Sequence, residues 1–195
     1  MKSSLSFLLT LLFVTFIGLS LTGCGSGGGE ISSSGALIID ITDAPIDGAA
    51  HVIVQFTGVE VKLASGEKLN FDFDSPKQID LLALKSGLIE LLLGEEKLPA
   101  GHYNWIRLKV EAELGVLDSY IELDDGSIHS LWIPNGSQTG LKLINGIDIL
   151  ADGFADFTID FNLRKSVHNP SRIGDDYIPT LIRFKTIIKK RHYSA

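Results

Sequence analysis

The sequence predicts an all-β domain, a sandwich or barrel of short strands, on three observations. Beyond residue 35 the apolar residues recur at every second position, the period of a strand with one buried face. Turn signals separate these runs: Asp43-Ala44-Pro45 with Asp47-Gly48, Ser65-Gly66, Asp124-Asp125-Gly126, Pro134-Asn135-Gly136, Asn145-Gly146 and Asp152-Gly153. No internal repeat and no second block of different composition interrupts them. Short strands at such spacing fit a sandwich or a barrel.

The chain opens on a different pattern. Lys2 is the only early charge, and an apolar stretch from Leu5 to Leu21 follows it, the layout of a secretory signal. A retained anchor helix is the alternative, since the stretch is near the lower limit for a span of about 20 apolar residues. Leu21-Thr22-Gly23-Cys24 favours export, because it resembles the bacterial lipobox, in which the cysteine is lipidated and becomes the new N-terminus. Small residues before Cys24 let a peptidase reach the backbone, and the thiol accepts a diacylglyceryl group. Cys24 is the only cysteine, so the exported domain has no internal disulfide and thioether formation removes a reactive thiol. Gly25 stands where an Asp would favour inner-membrane retention, so the expected location is the cell envelope, at the outer membrane where the cell has one.

Residues 1–23 thus read as a lipoprotein signal peptide and 24–35 as a tether, of which Gly25 to Gly35 reads GSGGGEISSSG, too poor in apolar residues to pack. As a flexible coil it spans on the order of 20 Å. A single β-sandwich domain is expected over 36–188 and a basic tail over 189–195. A domain of this size buries roughly 70% of its unfolded surface and needs no staple. With 17 basic and 24 acidic side chains, the balance disfavours nucleic acid, which needs a basic face to displace counterions.

Along the domain, His51 to Leu63 changes phase: Val52, Val54 and Phe56 are even, Val59, Val61 and Leu63 odd. An extra residue flips the faces beyond it, so a β-bulge is predicted at Thr57 and Gly58. Leu69, Phe71 and Phe73 alternate with Asn70, Asp72 and Asp74; Ile106, Leu108, Val110 and Ala112 with Arg107, Lys109 and Glu111; and Ala155, Phe157, Ile159, Phe161 and Leu163 with Asp156, Thr158, Asp160, Asn162 and Arg164. Leu81 to Leu93, continuously apolar but divided by Gly87, reads as a strand to about Leu84 and a short helical turn around Leu88 to Leu92, within 85–93.

Several patterns imitate a chemical site. Asp148, Asp152, Asp156 and Asp160 would form a stripe on a helix, but the run alternates as a strand. Asn70, Asp72 and Asp74 lack the Gly turn and distal Glu of a calcium loop, and a solvated face is the plainer reading. Asp40 and Asp43 read as turn caps. Ser137, in Gly136-Ser137-Gln138-Thr139-Gly140, is not in a nucleophile elbow. His51, His102, His129, His168 and His192 are scattered, with no HExxH pair. No catalytic residue, metal site or cofactor is expected. Tyr103 and Trp105 sit opposite Ile106, Leu108 and Val110, where two outer-face aromatics could stack on sugar rings; closing the end of the core is the competing reading. Lys189-Lys190-Arg191-His192 could touch anionic lipid or wall polymer.

Five segments, in order from Gly35 to about Ile188, resemble a bacterial and archaeal domain of unknown function, number 4382. They are Ile39-Asp40-Ile41-Thr42-Asp43-Ala44-Pro45, Ile79-Asp80-Leu81-Leu82-Ala83-Leu84, Leu98-Pro99-Ala100-Gly101-His102-Tyr103, Gly136 to Lys142, and Phe161-Asn162-Leu163-Arg164-Lys165-Ser166. The resemblance implies an immunoglobulin-like or prealbumin-like antiparallel β-sandwich on an exported protein, and no assigned activity. The chain departs from the pattern before Pro179, where a Lys is expected and Ile178 stands.

The function expected is therefore non-catalytic: a membrane-anchored envelope domain that binds a glycan, a cell-wall polymer or a protein partner, with Tyr103, Trp105, Asp43 and Ser137 as candidate contacts. A structural component of an envelope assembly is the alternative, and an envelope hydrolase a third. Palmitate labelling in the producing host checks the anchor: the intact chain takes up label and Cys24→Ala abolishes it, whereas undiminished label in the variant refutes lipidation at this residue.

Overall fold

A computed structural model describes residues 33–44, 46–133, 140–143 and 146–167. Ten strands, β1 (Ser34–Ala44), β2 (Ala49–Leu63), β3 (Lys68–Asp80), β4 (Glu90–Pro99), β5 (Gly101–Glu111), β6 (Tyr120–Leu123), β7 (Ile128–Ser130), β8 (Leu141–Leu143), β9 (Ile147–Ile149) and β10 (Phe154–Asn162), form two sheets. A 3-10 helix (Leu81–Gly87) follows β3, and a one-turn helix, α1 (Leu163–Ser166), follows β10. The small sheet has the order β10-β1-β4; the large one runs β7-β6-β2-β5-β8, with β3 also on β2 and β9 also on β5. Among the described residues no helix is long and apolar enough to cross a membrane.

The core lies between the sheets. Leu37, Ile39 and Ile41 of β1 and Phe157, Ile159 and Phe161 of β10 are buried, as are Val54, Phe56, Val59 and Val61 of β2 and Ile106, Leu108 and Val110 of β5. Phe56 and Phe161 meet edge to face across the gap, with centroids 6.2 Å apart, an arrangement that adds about 1 kcal/mol to the burial of the rings. The period-two runs are strands as predicted, with Leu69, Phe71 and Phe73 half-buried against the core.

The bulge in β2 falls where the phase switch places it. Pairing with both β3 and β5 shifts between Phe56 and Gly58, so Phe56 and Val59 both point inward although their separation is odd. Gly58 is required there, because a Cβ would stand 2.5 Å from the Phe71 carbonyl oxygen and 3.0 Å from the Asp72 Cα.

Three expectations need correction. The sandwich is not wholly antiparallel: β1 and β10 run parallel, from Ala36–Phe154 to Ala44–Asn162. Parallel neighbours need a long crossover, and here the intervening domain supplies it. β1 begins at Ser34, inside the predicted tether, because Gly35 lets the chain pass against the Leu150 carbonyl, which a Cβ would meet at 2.3 Å. The order over Leu81 to Leu93 is reversed. Asp80 accepts from the Leu82 N–H at 3.1 Å and so caps a 3-10 helix directly after β3. That helix buries Leu81, Leu82 and Leu84 and stops at Ser86 and Gly87, both at positive φ. The apolar run after it is strand: pairing of β1 with β4 shifts twice, which lets Leu92 and Leu93 both be buried.

The signal and lipobox residues, the turns at Pro134–Gly136 and Asn145, and everything from residue 168 onward lie outside the described residues. For the bulge, Gly58→Val is expected to cost about 2 kcal/mol by overpacking, roughly 4–8 °C in Tm. An unchanged melting curve would show that β2 can re-register.

Candidate functional site

Tyr103 and Trp105 part company. In the β2–β5 ladder Leu63 pairs with Tyr103 but Lys62 with Trp105, and the next pair is Val61–Ile106. Asn104 is thus an extra residue that turns Tyr103 onto the inner face. Tyr103 is 0% exposed, its hydroxyl donates to the Pro99 carbonyl at 2.8 Å, and burial, with the nearby Glu67 charge, pushes its pKa up to about 12. It closes the end of the core, so the pair does not form an aromatic platform for a sugar.

Trp105 stays on the outer face of the large sheet, yet only 6% of its surface is exposed. Its cover is cationic. Lys68 Nζ lies 5.6 Å from the ring centroid, Arg107 Cζ 4.8 Å and Lys142 Nζ 4.8 Å. Such contacts contribute about 0.5–1 kcal/mol each at exposed sites and more when desolvated. The register explains the gathering: Lys62 and Trp105 are partners across β2 and β5, as are Glu60 and Arg107, and Arg107 then pairs with Lys142 of β8.

Glu60 holds the cluster together. Its side chain is 8% exposed, with Lys68 Nζ at 3.2 Å from one oxygen and Arg107 Nη1 at 2.8 Å from the other. A buried carboxylate pays desolvation that its partners only offset, so the pairs orient Lys68 and Arg107 over the indole more than they stabilise the fold. One strand position on, Lys109 Nζ sits 2.6 Å from Asp72 Oδ1. The face therefore carries Lys62, Lys68, Arg107, Lys109 and Lys142 against Glu60, Asp72 and Glu111, more basic than acidic on a chain of net charge −7.

The other candidates are placed as follows. Asp43 is in β1 as the partner of Phe161, and nothing is described of its side chain; Ser137 lies outside the described residues. Asp40 is buried in β1. Asn70, Asp72 and Asp74 are exposed on β3. Asp148 belongs to β9, Asp152 to a turn, and Asp156 and Asp160 to β10, so no carboxylate stripe exists. Among the described residues no three His, Cys, Asp or Glu side chains gather as metal ligands. On the β6–β7 hairpin, Asp125, Ser127 and His129 come together, but wired unlike a hydrolytic triad. The Ser127 hydroxyl donates to Asp125 at 2.6 Å and lies 3.2 Å from His129 Nε2, so the carboxylate takes the serine's proton in a hydrogen bond and feels the histidine through its charge. That bond and the Ser127 N–H hold the Asp125 pKa below its ordinary value, which weakens it as a base.

Arg107 and Lys109 were placed on an outer face by alternation; Glu60, Lys68 and Lys142 were not singled out. The signal that finds them is the odd-even switch at Gly58, which puts Glu60 and Lys62 outward beside β5.

A family model described as a domain of unknown function (DUF4382) matches residues 34–178. No curated protein and no solved structure matches the chain.

Among the described histidines, His51 is tied to the start of the 3-10 helix through Asp80. Its Nδ1 lies 2.7 Å from Asp80 Oδ2, and Asp80 also accepts from Val52 N–H and from Leu82 N–H at the start of the 3-10 helix. The hydrogen bond to Asp80, then its charge, raises the His51 pKa above 6.5. A folded-state pKa above the unfolded one means that the stabilisation is complete below the unfolded value and is lost as pH rises through the folded value. Urea unfolding should therefore show His51→Gln less stable than the parent at about pH 5.5 and closer to it at about pH 8.5; an equal gap at both would remove the charge from the account.

Proposed function

The chain belongs to the DUF4382 family, a family described without an activity, and from that premise we propose that it is a lipid-anchored envelope protein with a non-catalytic binding domain. The ligand is an acidic glycan or acidic wall polymer, held on the outer face of the large sheet. The observation that carries this reading is Trp105, floored into the sheet beneath Lys68, Arg107 and Lys142. The indole does not stack on sugar; it holds cations in place, and the cations meet the ligand.

Geometry favours a polymer over a single small anion. From Asn70 through Glu60 and Arg107 to Lys142 the row crosses four strands, about 14 Å at 4.8 Å per strand. An exposed charge pair contributes at most about 1 kcal/mol, so useful affinity requires several anions at once, which a repeating acidic chain provides. Lys142 and half-exposed Lys68 keep N–H donors available beyond their contacts with Trp105 and Glu60. The lipobox resemblance at Leu21 to Cys24 supports the anchor, and with it a position where envelope polymers are within reach. Neither a cofactor nor a nucleic acid enters the reading.

Assembly by sheet-edge pairing has less support. The long border strand β3 carries Pro76 and the charges of Lys68, Asp72, Asp74 and Lys77, features that discourage edge pairing. A hydrolase would need its nucleophile's proton directed at the base and that base oriented by a third group; here the Ser127 hydroxyl directs its proton at Asp125 although His129 lies 3.2 Å away.

Binding of the detergent-solubilised full chain to alginate, a polyuronate, tests the reading against neutral dextran. Lys142→Glu and Lys109→Glu are each expected to weaken alginate binding about tenfold, a change of about 1.4 kcal/mol, while Lys85→Glu, on the 3-10 helix, leaves it unchanged. Alginate binding indifferent to both face reversals, or equal binding to dextran, overturns it.

A further inference from the structure

Exposed apolar side chains are ordinary when scattered; two of them here are placed where the chain's own attachment gives them a partner. Leu150 is 71% exposed and Phe154 60%, and they flank the tight connection between β9 and β10. That connection is rigid. Gly153 N–H donates to the Leu150 carbonyl at 3.1 Å, and Asp152 takes φ +53°, a left-handed conformation that Asp tolerates better than most residues.

The connection is also bonded directly to the start of β1. Asp152 N–H donates to the Ser34 carbonyl at 2.8 Å, and Ala36 N–H to the Gly153 carbonyl at 2.8 Å. Phe154 is the register partner of Ala36. Ser34 is where the segment from Cys24 reaches the domain. Ser33 stands nine positions after Cys24, so the chain between them reaches at most about 30 Å. Whatever holds Cys24 therefore holds this pole close to it.

We infer that the Leu150–Phe154 turn rests on the bilayer that carries the anchor, with both side chains at the boundary between headgroups and acyl chains, an inference that rests on the lipid anchor proposed above. Charge selects the lipid. Glu95 and Asp152 line the same end, with Lys97 as the only base among the lining residues, so the pole suits zwitterionic phospholipid and not an anionic surface. The pole is distinguished from the other apolar spot on the small sheet, Leu88 and Leu91. Pro99 pairs with Ser34, whereas Glu90 pairs with Ile41, seven residues along β1 and about 23 Å away at 3.3 Å per residue.

Leu88 makes the control, since at 61% it is as exposed as Phe154. The test uses the full lipidated chain in phosphatidylcholine vesicles, carrying a nitroxide on Leu150→Cys, Phe154→Cys or Leu88→Cys; Cys24, as a thioether, does not compete for the label. Relaxation by oxygen, which concentrates in lipid, is compared with relaxation by an aqueous nickel complex. The oxygen-to-nickel ratio at 150 and 154 is expected to exceed that at 88 by roughly threefold or more, as for side chains placed at the interface. Equal ratios at all three positions in protein that floats with the vesicles overturn the docking and leave the anchor standing. Protein that does not float with the vesicles overturns both.

Discussion

The fold and its charged face both depend on one extra residue in β2. This strand pairs with β3, β5 and β6, and without the bulge at Gly58 either Val52, Val54 and Phe56 or Val59 and Val61 would face water. Exposing two or three such side chains forfeits about 1.5–3 kcal/mol each, a large share of the roughly 5–15 kcal/mol that keeps a domain folded. The same bulge sends Glu60 and Lys62 outward together, beside Trp105 and Arg107. Packing inside and charge outside are thus two consequences of one backbone irregularity, and the close approach of Phe71 and Asp72 reserves the position for glycine.

What could be read from the sequence follows the range of the interactions concerned. β10 and the β2 bulge were legible because alternation is a local property, written in consecutive residues such as Phe157, Thr158, Ile159 and Asp160. The Leu81 to Leu93 run misled because its hydrophobicity is uniform. The deciding features were a single cap, Asp80, at one end of the 3-10 helix, and the left-handed pair Ser86 and Gly87 at the other. Tyr103 was assigned to the wrong face because the insertion at Asn104 leaves no phase change that polar and aromatic neighbours could reveal. The cation cluster was less legible still. Lys68, Arg107 and Lys142 are scattered along the chain, and only the register of three ladders brings them over one indole.

The cluster is an unusual use of charge for an acidic chain. A surface lysine loses about 2 kcal/mol of side-chain entropy when fixed in one position, so lysines on an open sheet ordinarily wave in solvent. Here the indole and Glu60 pre-order Lys68 and Arg107 before any ligand arrives, which lowers the ordering cost of binding. Arg107 is central because its flat guanidinium can lie over the ring and still direct an N–H at Glu60; a lysine ammonium is a point charge and cannot do both as well. The net negative charge of the chain sharpens the contrast between this face and the rest of the domain for an approaching polyanion.

The parallel partnership of β1 and β10 bears on how the domain would withstand the proposed anchoring by one end. A pull at Ser34 runs along β1 and loads its ladders with β10 and β4 lengthwise. From Ala36–Phe154 to Ala44–Asn162 the bonds to β10 are strained together and not one after another, as they would be if β1 could peel from an edge. Because β1 lies between β10 and β4, it has ladders on both sides to share the load. On the proposed reading, the strand nearest the anchor is thus the one with neighbours on both sides in its sheet, the arrangement that a tethered polymer-binding domain would require.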